Sequence, residues 1–140
     1  MAIQKGIPGL TIIAESINDS VTSTAKMFDG NDVEGIQALA RRQAEGNCGY
    51  IDVNVGRRGP DFMARIVREV QAVTDKPLSI DTPDPALAEA GLRAYRLERA
   101  KGRRPVLNSI SLLRTGMLGL YRICPFRPVL LCTEGVDAQG

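Results

Sequence analysis

The chain contains no histidine, which removes the side chain most often used as a general base near neutral pH. Acid–base work would fall to carboxylates, amides, tyrosine or an ordered water. Cysteine is scarce as well. Cys48, Cys124 and Cys132 are odd in number, show no CxxC spacing and have no histidine with which to complete a metal site. They read as reduced thiols in a cytoplasmic protein, with no metal expected. Neither sign of charge dominates: 18 lysines and arginines face 16 aspartates and glutamates, so no strong field for nucleic acid or an anionic membrane is built in. The longest apolar stretch, MLGLYRICPFRPVLLCT, is broken by Arg122, Pro125, Arg127 and Pro128, which excludes an ordinary spanning helix. Residues 1–10 also lack the basic segment, apolar core and small-residue cleavage site of an export signal.

What is present is a rhythm. With 140 residues, 44% of them hydrophobic, the chain can bury the core of one domain. Three apolar runs finish on a carboxylate or an amide: YIDVNVG at Asp52 and Asn54, PLSIDTP at Asp81, and VLNSIS at Asn108. Before them TIIAESI, residues 11–17, reads as a buried strand that reaches Glu15 and Asn18. The polar stretch from Asp19 to Gly30 reads as a long first loop of the kind that closes over ligand. Asn31 with Glu34 three residues on reads as a capping box, opening a helix whose buried side is Val33, Ile36, Leu39, Ala40 and Ala44 and which Gly46 ends.

Strand and helix then alternate. Residues 50–55 read as a strand, and Pro60 fits the first turn of a helix with Met63, Ile66, Val67, Val70 and Val73 at helical spacing. Pro77 leads into the strand LSID. Asp84 and Pro85 supply a cap and a first-turn proline for a helix with Leu87, Gly91, Leu92 and Tyr95 inward. RAKGRRP, residues 99–105, reads as a solvated connection, and residues 106–110 as a fourth strand with Ser111 joining its rim. Leu112 to Tyr121 predicts a short helix weakened by Gly116 and Gly119, each of which costs about 1 kcal/mol relative to alanine. PVLLCTEG, residues 128–135, reads as a fifth buried strand in which Cys132 is a small apolar filler.

The rim positions recur: 29 residues separate Asp52 from Asp81, 27 separate Asp81 from Asn108, and 25 separate Asn108 from Thr133. Each interval holds one strand, one helix and two short loops. Apolar strands alternating with helices predict an α/β fold with a parallel sheet, and right-handed crossovers point every strand end to the same side. A (β/α)8 barrel needs eight such units and about 250 residues, whereas five are visible. An open doubly wound sheet fits five strands by count, but its first turn normally carries a glycine-rich phosphate loop, and AESINDS has no glycine.

AESIN, IDVNVG, SIDTPDPALAEAGL and VLNSIS, in that order and spacing, resemble the pterin-binding barrel of methyltetrahydrofolate-dependent corrinoid methyltransferases. That group is related to the folate domain of cobalamin-dependent methionine synthase. The resemblance covers roughly residues 10–111 and rests on four segments together. It implies a partial TIM (β/α)8 barrel with about five of eight βα units, residues 1–140 forming the N-terminal part of a pterin-binding domain. Dihydropteroate synthases share the fold and pocket, but their TPDSF-like first loop and Gly-Gly-Glu-Ser run are absent here.

The residue chemistry runs alongside. A reduced pterin presents a lactam N–H beside an exocyclic amine, and a carboxylate accepts such a pair with both oxygens. Asp81 is the candidate for that contact, its family counterpart being a pterin ligand; the alternative is that it caps the turn TPDP. Asn108 offers an acceptor and donors together, and its family counterpart also binds pterin; the alternative is that it satisfies a strand-end backbone group. Asp52 and Asn54 lie two apart and face the same way, either supporting the ligand from below or pairing with each other or with Asn18. The family pattern Gly-Glu-Arg-Ile-Asn is replaced here by Ala14, Glu15, Ser16, Ile17 and Asn18, so the arginine's contact is missing. Arg57 and Arg58 read as a solvated pair, or as contacts to a folate glutamate tail or an acidic partner.

The implied reaction moves a methyl group from N5 of methyltetrahydrofolate to the cobalt of a reduced corrinoid held by a partner protein. Nitrogen is a poor leaving group, so the site must stabilise developing charge at N5. In the family that contact comes from a late-strand asparagine, expected beyond Gly140, as is a further pterin-binding aspartate; no catalytic residue is assigned within the chain. Two other readings stand beside this one. One is a non-catalytic pterin-binding module that forms homo-oligomers through exposed parallel edges; the other is a dihydropteroate synthase relative.

Overall fold

A computed structural model describes residues 8–132. Its elements run β1 (Ile13–Ala14), α1 (Thr22–Asp29), α2 (Val33–Glu45), β2 (Tyr50–Val53), α3 (Pro60–Gln71), β3 (Leu78–Asp81), α4 (Pro85–Ala94), a 3₁₀ turn (Glu98–Ala100), β4 (Val106–Ser111), a kinked 3₁₀ segment (Leu112–Arg122) and β5 (Arg127–Leu131). The fold is α/β. All neighbouring strands are parallel, and the sheet order is β1-β2-β3-β4-β5. A doubly wound sheet would reverse its order at a switch point; this one never does. Consecutive helices touch in chain order, α1 on α2, α2 on α3, α3 on α4, and α4 on the 3₁₀ segment. In-order strands with right-handed crossovers place their helices in one such layer. The arrangement is compatible with part of a βα barrel.

The core fills the space between that layer and the sheet. Ile51, Val53, Leu78, Ile80 and Leu107 from the strands meet Ile36, Ala40, Met63, Ile66, Val67, Val70, Ala88 and Leu92 from the helices. Alternation along the strands therefore leaves Asp52, Ser79 and Asp81 on the opposite face. Caps set where the helices begin. Asp84 accepts from the backbone N–H groups of Ala86 and Leu87, and Pro85 follows in the first turn. The close approach of α4 to the sheet depends on Gly91: a Cβ there would lie 2.9 Å from Ile80 Cγ2 and 3.3 Å from Met63 Cγ.

Several expectations require correction. The expected buried strand over residues 11–17 shrinks to the half-buried pair Ile13–Ala14, with Ile12 exposed, because it forms an edge of the sheet. The chain rejoins β2 only at an isolated bridge between Asn18 and Asn54. The expected loop from Asp19 to Gly30 contains α1. Its polar sequence has weak propensity, and tertiary contacts supply the stability: buried Thr24 donates its hydroxyl to the Ser16 carbonyl at 2.7 Å, and Phe28 packs edge-on to Phe62 at 5.4 Å. The α2 cap is Asp32, accepting from Gly35 N–H, while Asn31 adopts a left-handed φ of 53°. The expected buried fifth strand is exposed at every residue, and Cys132 is exposed too, because β5 forms the other edge. Thr133 and residues 134–135 of that expected strand lie outside the described residues. The helix after β4 forms, as 3₁₀ turns broken at Arg114.

Among the described residues, no helix is long and apolar enough to cross a membrane. Replacing Gly91 tests the packing of α4. Alanine is a better helix former than glycine by about 1 kcal/mol, but overpacking costs about 1–3 kcal/mol. Gly91→Val should therefore lower the urea midpoint without changing the slope; a rise in midpoint would show that α4 is free to move away.

Candidate functional site

The parallel register brings the predicted polar residues into rows on the face away from the helices. Asp81 pairs with Asn108 across β3 and β4, and Asp52 pairs with Ser79 across β2 and β3. One step of two residues beyond Asp52 and Ser79 sets Asn54 beside Asp81. The side chains meet there: Asn54 Nδ2 donates to Asp81 Oδ2 at 2.8 Å. The upper row is thus Asn54, Asp81 and Asn108, at the C-terminal ends of three adjacent strands.

The orientation of Asn54 is fixed from behind. Gly56 takes a left-handed φ of 63°, and its N–H donates to Asn54 Oδ1 at 2.9 Å. That bond occupies the amide oxygen and turns the amide nitrogen toward Asp81, which settles the two ends of the side chain. Asp81 itself is not the turn cap. Asp84 caps α4, and Thr82 Oγ1 accepts from Asp84 N–H at 3.1 Å. Thr82 N–H in turn donates to the Asn108 carbonyl at 2.9 Å, locking the end of β3 to β4. Asp81 therefore keeps one oxygen unused by Asn54, and the side-chain amide of Asn108 has no hydrogen bond among the described residues.

Beneath this row lies a buried carboxyl. Asp52 is 1% exposed, and neither of its oxygens has a hydrogen-bond partner among the described residues. Burial pushes its carboxyl up to about 7; the adjacent Ser79 dipole eases the charge, while the negative charges of Asp81 and Glu15 raise the value further. Ser79 stands next to Asp52 without completing a hydrogen bond of normal geometry, and its hydroxyl is also unsatisfied. At neutral pH the Asp52 carboxyl is thus poised between donor and acceptor.

The remaining candidates divide. Glu15 reaches Asp52 electrostatically but is itself exposed. Asn18 aligns with Asn54, yet its Oδ1 accepts from the N–H and hydroxyl of Ser20 at 2.9 and 2.7 Å, so it serves its own turn. Asn54 pairs with neither Asp52 nor Asn18; its side chain goes to Asp81. Ser111 is buried with an unsatisfied hydroxyl, beyond an irregularity in the β4–β5 register between Asn108 and Ile110. Arg58 is not a solvated residue: it forms ion pairs with Asp19 and Asp29 and lies over the rings of Phe28 and Phe62 at 5.1 and 5.5 Å. It ties α1 to the loop after β2. Arg57 is exposed. Ser79 is the site residue the sequence reading missed; its signal was the same two-residue spacing, before Asp81, that picked out Asp52 and Asn54.

Cavities among the described residues lie elsewhere. One of about 470 Å³ opens at the N-terminal ends of the strands, lined by Tyr50, Arg103, Arg104 and Arg127 among others, and one of about 320 Å³ lies between α4 and the segment Ile123 to Pro125. Neither is lined by Asn54, Asp81 or Asn108.

The Asp52 carboxyl gives a pH signature. A carboxyl whose value is raised on folding holds its proton in the native chain while the unfolded chain releases it, so stability falls as pH rises from about 4 to about 7 and then levels off. The gap between an ordinary 3.8 and about 7 sets an upper bound of roughly 4 kcal/mol. Asp52→Asn should remove this decline and be more stable than the wild type at pH 8. Parallel stability–pH curves for the two proteins would contradict a protonated Asp52. In comparisons with known proteins, no protein-family model matches the chain, and no curated protein matches it.

Proposed function

We propose that the chain binds a reduced pterin on the row Asn54, Asp81 and Asn108, as the binding half of a methyltetrahydrofolate:corrinoid methyltransferase site on a partial TIM barrel. The observation that carries the reading is the carboxylate of Asp81, held by Asn54 and left free of turn capping, in register with the Asn108 amide, which has no side-chain hydrogen bond among the described residues. Asp81 accepts the lactam N–H and exocyclic amine of the pterin, and Asn108 supplies the mixed donor and acceptor for the rest of the ring edge. Orientation is set before ligand arrives, since the chain from Gly56 N–H through Asn54 to Asp81 is already complete. Asp52, buried one row below, limits the negative charge of the site by holding its proton near neutrality.

The wider function follows the sequence resemblance. The methyl group leaves N5 of methyltetrahydrofolate for the cobalt of a reduced corrinoid, with the pterin nitrogen taking the electron pair of the broken bond. A corrinoid would arrive on its own protein; this chain has no histidine with which to ligate its cobalt. The in-order parallel sheet supports the barrel reading, because a (β/α)8 barrel adds its strands in the same order.

Calorimetric titration with methyltetrahydrofolate tests the binding step. Asp81→Ala should weaken binding by roughly 1.5–3 kcal/mol, about 10- to 150-fold, as expected for lost hydrogen bonds to a charged group. Asn54→Ala should cost less, about 0.5–1.5 kcal/mol, since it only frees the carboxylate to turn. Unchanged affinity in Asp81→Ala would sink the assignment. Spectroscopic detection of methyl-cobalt formation on an added corrinoid protein tests the transfer step separately. Binding without transfer would leave a pterin-binding module.

A further inference from the structure

We propose that Arg58 is a positioning residue for the row Asn54, Asp81 and Asn108: its guanidinium fixes the turn after β2, and that turn aims Asn54 and through it Asp81. The service to ligand rests on the pterin reading of the row, whereas the aiming of Asn54 does not. Residues 55–58 form a tight turn in which Arg58 N–H donates to the Val55 carbonyl at 3.3 Å and Gly56 takes its left-handed φ of 63°. Gly56 N–H is the group that occupies Asn54 Oδ1. Whatever shapes this turn therefore sets which way the Asn54 amide faces.

Three acceptors converge on the guanidinium. Its Nη1 donates to the Val55 carbonyl at 3.2 Å and to Asp19 Oδ1, while Nη2 donates to Asp29 Oδ1. A planar fork with donors in fixed directions holds all three in one geometry; the ammonium of a lysine, a point charge on a flexible stem, does not. Phe28 and Phe62 lie against the guanidinium at 5.1 and 5.5 Å, and the Arg58 side chain is only 22% exposed. The rings therefore restrict where the fork can point.

Asp19 links this clamp to the turn from the other side. A Cβ built on Gly56 would lie 2.2 Å from Asp19 Oδ2 and 2.9 Å from Asp19 Cβ, so the carboxylate rests directly on the Gly56 backbone. Asp19 N–H also donates to the Asn54 carbonyl at 3.0 Å. The turn is thus held between the fork on Val55 and the Asp19 carboxylate that the same fork grips. Without the fork, Gly56 N–H drifts from Asn54 Oδ1, and the amide can turn its oxygen toward Asp81, where two acceptors oppose each other. Arg58 makes no hydrogen bond to Asn54, Asp81 or Asn108 among the described residues. Its effect on the row passes through Asn54.

Two measurements on the full chain test the proposal: exchange of the Asn54 side-chain amide with water in the ligand-free protein, followed by nuclear magnetic resonance, and calorimetric titration with methyltetrahydrofolate. Arg58→Lys and Asp19→Ala should each speed that exchange and weaken binding by about two- to tenfold, the range of one lost neutral hydrogen bond. In an Asn54→Ala background, Arg58→Lys should weaken binding no further, as expected of residues acting as one unit. Circular dichroism identifies the folded variants; a merely structural role would lower the urea midpoint and leave amide exchange and affinity unchanged. Wild-type Asn54 exchange in the folded variants, or an affinity loss from Arg58→Lys that is undiminished without Asn54, would overturn the proposal. A wild type that binds no pterin would sink the pterin reading instead, and the exchange of the Asn54 amide alone then decides the role of Arg58.

Discussion

The register of the parallel sheet is the constraint on which the rest depends. Because each strand pairs with the next in chain order and in the same direction, all crossover helices fall in one layer. Among the described residues the opposite face is then free of helices, and side chains two apart on each strand line up across it. Asn54, Asp81 and Asn108 form one row and Asp52 and Ser79 another through this single geometric fact. A one-residue slip of β3 would send Asp81 into the apolar layer and Ile80 to the polar face. The burial of Ile80 against Gly91 and Met63 is therefore also what aims Asp81.

Within that frame, the side chains that hold the turns differ from those of the row Asn54, Asp81 and Asn108. Thr82 and Asp84 satisfy the backbone after β3, Asn18 satisfies the turn after β1, and Arg58 fixes α1 through two carboxylates and two rings. Asp81 and Asn108 are spared these duties. The unsatisfied Asp52 and Ser79 lie below them in a setting where a charge is costly, and protonation is the least expensive resolution. Stability and site chemistry are linked at that carboxyl.

The parts of the fold legible in the sequence were those written in local signals. Proline and aspartate at the start of α4, the helical spacing of Met63, Ile66, Val67 and Val70, and the apolar runs of β2 to β4 placed those elements directly. α1 was hidden because its Thr and Ser residues have little helical preference, and its support comes from outside the helix, from nearby Ser16 and from Phe62 and Arg58, distant in sequence. The edge strands misled for another reason. TIIAESI and PVLLC carry the apolarity of buried strands, but exposure depends on what stands beside them, which no local pattern records. The rim residues were legible through their two-residue spacing, whereas the bond from Asn54 to Asp81 needed the pairing of two strands to appear.

The central claim is that the row Asn54, Asp81 and Asn108 receives a reduced pterin. Nuclear magnetic resonance of the isotopically labelled protein, following side-chain amide signals during addition of a reduced pterin, tests it most directly. The account predicts saturable shifts of the Asn54 and Asn108 amides with the backbone signal of Asp81. Shifts confined to the arginine-lined cavity around Arg103, Arg104 and Arg127, or no saturable shift at all, would contradict it.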